Sequence, residues 1–127
     1  MREPWVALVI VIVLALIALV VLRRVGRDSR ARFAVERNLA MLADSQTVHR
    51  RRYGSYAARG GNLSDPTTVR ILADSGAVLT ITHADSIGWS ASGTHPALHG
   101  RNSTCYIYGG NVSHDPRLVK PAEPRCW

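Results

Sequence analysis

Cysteine is nearly absent: Cys105 and Cys126 are the only two, and neither has a second cysteine or a histidine at ligand spacing. That argues against a metal pair and leaves one disulfide in an oxidising compartment as the natural use of an even count. Large aromatic side chains are scarce as well, with a single phenylalanine, Phe33. The chain also lacks paired carboxylates, a nucleophile elbow, a phosphate-binding glycine loop and any Cys–His arrangement, so no enzyme, cofactor or metal is expected from it. Its five histidines do not change this. His95 and His99 are four apart, but Pro96 and Gly100 oppose the helix that would align them, and His49, His83 and His114 are scattered.

What the sequence does contain begins at once. Trp5–Leu22 is a run of eighteen residues with no charge, no polar side chain and no glycine. As a helix rising about 1.5 Å per residue it is about 27 Å long, close to the hydrocarbon thickness of a bilayer. Apolar on every side, it belongs in lipid or among similar helices rather than in an ordinary small core. No small-residue cleavage site follows it, only Arg23 and Arg24, so a cleaved secretory signal is not expected. Pro4 suits the first helical turn and Trp5 the interfacial position.

The predicted domain organisation is therefore 1–22 as a membrane or filament-core helix, 23–53 as a basic helical stem, and 54–127 as a small head. The net charge of +7 is concentrated in the stem, where nine arginines face Asp28, Glu36 and Asp44. A basic helix beside a membrane segment fits anionic headgroups or a solvated face. Nucleic acid is the other candidate partner, although no aromatic–basic stacking platform accompanies the charge. Within the stem Val35, Leu39, Leu42, Gln46, His49 and Tyr53 recur at spacings of four and three, a stripe that predicts docking on the chain's own head. No proline interrupts the helix before Tyr53, and Gly26 is its poorest helix former.

Gly54-Ser55-Tyr56 predicts the helix end and residues 54–66 a loop, with a helical turn or two over Thr67–Leu72. Val78–His83, Gly88–Thr94 and Thr104–Tyr108 read as strands, the last stopped by Gly109-Gly110. Strands so spaced without helices between them make an antiparallel meander. The expected fold is thus α+β, a long N-terminal helix packed on a small antiparallel sheet. The tail, with Pro116, Pro121 and Pro124, is expected to be irregular and pinned by Cys126. A core this rich in small residues needs such a staple or a partner. Three sequons, at Asn62, Asn102 and Asn111, fall in predicted loops and suit either glycosylation or chance in a Ser/Thr-rich head.

Taken together the layout resembles the type IV pilins and pseudopilins. The resemblance rests on the N-terminal apolar helix continued by a stem, on Asn38-Leu39-Ala40 through Tyr53-Gly54-Ser55-Tyr56, on Gly88-Trp89-Ser90-Ala91 followed by Thr104-Cys105-Tyr106-Ile107-Tyr108-Gly109-Gly110, and on a cysteine near the C-terminus, Cys126. It covers most of the chain, and it is the collinear order that carries it, not any one motif. Members of that family place a glutamate four residues after the mature start. Here Trp5 stands at that distance from Met1, and Glu3 is the nearest acid. The helix-breaking Gly and Pro of the family are replaced by an uninterrupted run through Leu14 to Leu22.

The resemblance implies a structural subunit of an extracellular filament, held in the inner membrane before assembly and polymerising with itself through the N-terminal helix. It also implies a leader peptidase and a pilus assembly machinery as partners. Glu3 and Trp5 at the start, and Arg23, Arg24, Arg27, Arg30 and Glu36 in the stem, are the expected assembly residues. The arginines are expected to reach acids of the same or neighbouring subunits, with Asp28, Glu36 and Asp44 nearest. A single-pass anchored envelope domain that binds a partner without polymerising, and a DNA-uptake minor pilin, are the alternatives. Arginines just beyond the apolar run favour a cytoplasmic head, whereas a cysteine pair favours an exported one.

Overall fold

The computed structural model describes residues 3–60, 68–69 and 76–127. Its first element is one unbroken helix of fifty residues, α1 (Pro4–Tyr53). At about 1.5 Å per residue this helix is about 75 Å long. Glu3 precedes it in extended conformation without a side-chain cap, and Pro4 occupies the first turn, where a missing N–H costs nothing. At the other end Gly54 takes the left-handed conformation (φ 79°) and donates its N–H to the Arg50 carbonyl at 2.8 Å. Arg50, Arg51 and Arg52 in the last turn sit at the negative end of the helix dipole. Gly26 is accommodated without a break.

Every residue of α1 from Pro4 to Arg30 is exposed, and burial begins at Ala31. From there Val35, Leu39, Leu42, Gln46 and His49 are buried, as the stripe predicts. Tyr53 departs from it: 40 % exposed, it lies past the edge of the sheet and packs on His49, ring centroids 4.7 Å apart. The two polar members of the stripe are buried because the next turn of chain satisfies them. The Gln46 amide donates to the Ala57 carbonyl and accepts the Ala57 N–H, both at 2.8 Å. His49 Nδ1 lies 2.8 Å from the Ser55 carbonyl. A buried amide with both ends paired fixes the direction in which the chain leaves the helix.

Among the described residues the head carries six strands: β1 (Arg59–Gly60), β2 (Thr68–Val69), β3 (Val78–Ala84), β4 (Gly88–Thr94), β5 (Thr104–Gly110) and β6 (Arg125–Cys126). β1 and β2 pair in parallel as a separate two-stranded ribbon, and the other four form an antiparallel sheet in the order β3-β4-β5-β6. The α+β architecture is thus present: one long helix packed on a small antiparallel sheet. Three expectations are corrected. Arg59–Gly60 is strand rather than loop, and Thr68–Val69 is strand rather than helical turn. The rest of 61–67 and 70–75, with Asn62, lies outside the described residues. Gly109 and Gly110 do not stop β5 but belong to it.

The reason for that last correction is steric. Trp89 is directly opposite Gly109 in the β4–β5 register, and its indole occupies the space above that glycine. A Cβ at Gly109 would lie 2.9 Å from Trp89 Cε2. Trp89, Ala91 and Gly93 face α1 along β4, with Cys105 and Ile107 beside them on β5. At Gly93 the helix comes so close that a Cβ would lie 2.7 Å from Val35 Cγ1. The helix therefore rests on glycine and alanine, which is how a sheet with few large side chains forms a core.

The tail is irregular apart from β6, as expected, yet closely packed. On the sheet face away from α1, Trp127 stacks on Tyr106 (4.3 Å between centroids) and His114 on Tyr108 (3.7 Å), while the Arg117 guanidinium lies 4.0 Å over the Trp127 ring. The Ala122 N–H donates to the Tyr108 carbonyl and the Trp127 N–H to that of Thr104. The sheet is covered on both faces, by the helix and by its own C-terminus.

Two carboxylates fasten the turns. Asp85 Oδ1 accepts the N–H groups of Ile87 and Gly88, both at 2.9 Å, and Oδ2 lies 3.0 Å from His83 Nε2. These backbone bonds, and His83 after them, hold its carboxyl below the ordinary range. Asp115 receives the Arg117 side chain at both oxygens (3.0 and 2.9 Å) and the Arg117 N–H, which lowers it to about 2. A depressed folded-state value means that the stabilisation is present above the unfolded carboxyl range, near 3.8, and lost as pH falls through the folded value. Acidification from about pH 4 to pH 2 should thus loosen the Trp127–Arg117 stack before the helix melts. Near-UV circular dichroism is the measurement, and Asp115→Asn should remove that phase.

Candidate functional site

The surface that sets this chain apart is the first half of α1. Trp5–Leu22 is apolar, helical and wholly exposed, long and apolar enough by length and composition to cross a membrane. Leu8, Ile10, Leu14 and Leu16 are each more than half exposed, and at about 3.6 residues per turn they point to different sides of the helix. The surface is a cylinder rather than a patch, and water is a poor solvent for it at about 25 cal/mol per Å² of apolar area.

At the start of this cylinder Glu3 is exposed and accepts a hydrogen bond from the indole N–H of Trp5. The two residues singled out at the N-terminus are thereby brought together within one chain. At its end stand Arg23, Arg24, Arg27 and Arg30, all exposed. Among the described residues none of the four has a carboxylate of its own chain within ion-pair distance in the single subunit. Helix geometry explains it. Asp28 lies four residues after Arg24, the less favourable order for such a pair. Asp44 is fourteen residues beyond Arg30, about 21 Å along the axis. Glu36 is turned to the head, its Oε1 3.4 Å from Cys126 Sγ. That is a packing contact, because a disulfide sulfur has no hydrogen to donate.

Cys105 and Cys126 form a disulfide directly across the β5–β6 pair, 21 residues apart in sequence. Both sulfurs near Glu36 are thus committed to each other rather than to an ion. The bond closes the tail over the outer face of the sheet, and β6 has only two residues to hold it there otherwise. Chain-entropy arguments give about 3 kcal/mol for a loop of this size. Cys126→Ser should accordingly lower the unfolding free energy by about 3 kcal/mol and release the Trp127 stack, read by urea titration followed by near-UV circular dichroism.

The remaining candidates are dispersed. Asn102 is exposed, in the left-handed region (φ 58°) of the β4–β5 connection, and Asn111 is exposed just past β5. Both present their sequons on the surface, on opposite ends of β5. His95 is in the same connection as Asn102, its Nδ1 accepting the Ala97 N–H at 3.0 Å. His99 is exposed and not on a helix.

The chain matches no family model and no curated protein. The surface exposure, charge placement and packing just described therefore carry the functional reading alone.

Two features lay beyond the sequence reading. Ala31, Ala34, Asn38 and Ala43 complete the buried face of the stem, and the aromatic stacks of the tail cover the sheet. The alanines carried a usable signal, since they share the three-and-four spacing of the larger residues. The stacks depend on pairing between segments far apart in sequence and had none.

Proposed function

We propose that this chain is a structural subunit of a type IV pilin-like filament. Its apolar half-helix rests in a membrane before assembly and is buried among the same helices of other subunits afterwards. The observation that carries this reading is the continuity of α1. One unbroken helix is bare and apolar for its first half, and from Ala31 on carries a small disulfide-closed head on one face only. Such a molecule presents the same surface to lipid and to copies of itself, so transfer from one to the other leaves no apolar area in water. The exposed arginines follow the apolar run immediately. In a polymer they need acids from neighbouring subunits or solvent screening.

The test is electron microscopy of sheared surface material, with the subunit identified by mass. Filaments containing the chain support the reading. Their absence, with the chain fully retained in membranes, favours a single-pass envelope domain.

A further inference from the structure

Between α1 and the connection after β4 lies a groove of about 750 Å³. One wall is the helix from Leu22 to Arg37, and the other is His95 and Ala97. Two kinds of surface meet in it. Arg23, Arg27, Arg30 and Arg37 supply four positive charges, and the first three have no carboxylate partner in the chain among the described residues. Between them the floor is apolar, made by Leu22, Ala31, Phe33 and Ala34, with Phe33 64 % exposed. Gly26 lines the groove, and a Cβ there would meet nothing within 4 Å, so a larger side chain at this position would stand in open space.

The geometry points to a binding site for one anionic phospholipid, with its phosphodiester among Arg23, Arg27 and Arg30 and its acyl chains running down the apolar face of α1. Position selects this ligand over other anions. The groove opens at Leu22, the last residue of the apolar run, and Arg27 is only about 8 Å of helical rise beyond it, the depth of a headgroup layer. A soluble phosphate would use the arginines but leave the apolar floor in water. A nucleic acid would need a longer basic track with aromatic stacking, which α1 does not offer beside the groove. Guanidinium groups match phosphate oxygens through paired N–H donors, so arginine is the suitable cation. The inference rests on the helix residing in a bilayer, not on polymerisation, and is read on monomer.

The full chain is reconstituted in nanodiscs of phosphatidylcholine alone or with phosphatidylglycerol, extracted in mild detergent and weighed by native mass spectrometry. One phosphatidylglycerol per chain should be retained, in preference to phosphatidylcholine. R23Q/R27Q/R30Q should weaken retention on the order of a hundredfold, since each basic residue at an anionic surface contributes about a fivefold gain. R51Q/R52Q/K120Q, which removes the same charge elsewhere, should leave it unchanged. Gly26→Leu improves helix propensity and keeps every arginine, yet should reduce retention by filling the groove. Equal retention of both lipids, equal loss in the two triple variants, or full retention by Gly26→Leu would overturn the site. So would displacement of the lipid by millimolar inorganic phosphate, or tighter binding of a DNA duplex with the same arginine dependence. Failure of the chain to enter nanodiscs at all would instead count against the membrane reading on which the site depends, and with it against the site.

Discussion

Trp89→Ala is expected to cost the head about 3–5 kcal/mol, the range for deleting a large aromatic side chain from a packed core. A domain of this size holds about 5–15 kcal/mol in all, so the loss is a large share of the total. Trp89 is 2 % exposed and is the largest fully buried side chain, in a core otherwise built of Val35, Leu39, Leu42, Ile107 and several alanines. No neighbour is long enough to fill the void. The indole also fixes its partner across the strands, because it occupies the position that a side chain at Gly109 would need. Gly109→Ala alone should therefore cost about 1–3 kcal/mol through overpacking. In the Trp89→Ala background the same change should cost little, because the obstructing ring is gone. Urea titration of the four chains in detergent, followed by near-UV circular dichroism, gives the cycle. Additive losses would mean that the two residues do not share one space.

The same pair shows where the sequence was readable and where it was not. β4 was legible over its full length, Gly88–Thr94, because turn residues bound it and its composition is small and β-compatible. The end of β5 was not, because Gly109-Gly110 is a turn signal taken alone and a strand only when Trp89 lies opposite. Local pattern fixes what a residue prefers, and packing across the sheet decides whether that preference wins. The apolar run, the stem stripe and the starts of β3, β4 and β5 all rest on periodicity within one segment, and they hold. β1 and β2 have two residues each, too few to show any period.

The candidate sites divide along the same line. Which residues are apolar or basic is a property of the sequence, so the cylinder from Trp5 to Leu22 and the arginines after it were visible. Which acid meets which arginine depends on helix phase and on what the head draws away. Glu36 is a plausible partner by composition, and in the structure it is turned to the head, packed against Cys126 Sγ. The groove beside Gly26 was invisible because its second wall, His95 and Ala97, is about seventy residues away in sequence. In the sequence Gly26 is only a weak helix former. In the structure it lines the groove, with open space where a side chain would stand.

On the proposed reading, Leu14→Arg should abolish stable membrane retention and filament formation while leaving the head folded. Leu14 lies in the middle of the apolar run and is 60 % exposed, with no partner from its own chain. A charge at the centre of a membrane helix costs about 2.5–3.5 kcal/mol on insertion scales, roughly a hundredfold in the equilibrium. In a polymer the cost repeats at every subunit, and an unpaired guanidinium among apolar helices has no acid to meet, since the only carboxylate near this end of α1 is that of Glu3. The head should be indifferent, because Ala31, where burial begins, is seventeen residues away, about 25 Å along the helix. The Cys105–Cys126 bond and the near-UV spectrum should thus match those of the unaltered chain. Leu14→Ala, which keeps the site apolar, should retain most of both functions. Alkaline carbonate extraction reads membrane retention, and yield of sheared filaments reads assembly. A Leu14→Arg chain that still resists extraction and still assembles would mean that this run is buried in neither lipid nor polymer. Loss of filaments with membrane retention intact would place the run in lipid at a depth the arginine escapes by snorkelling, and would locate the tighter packing requirement in the polymer.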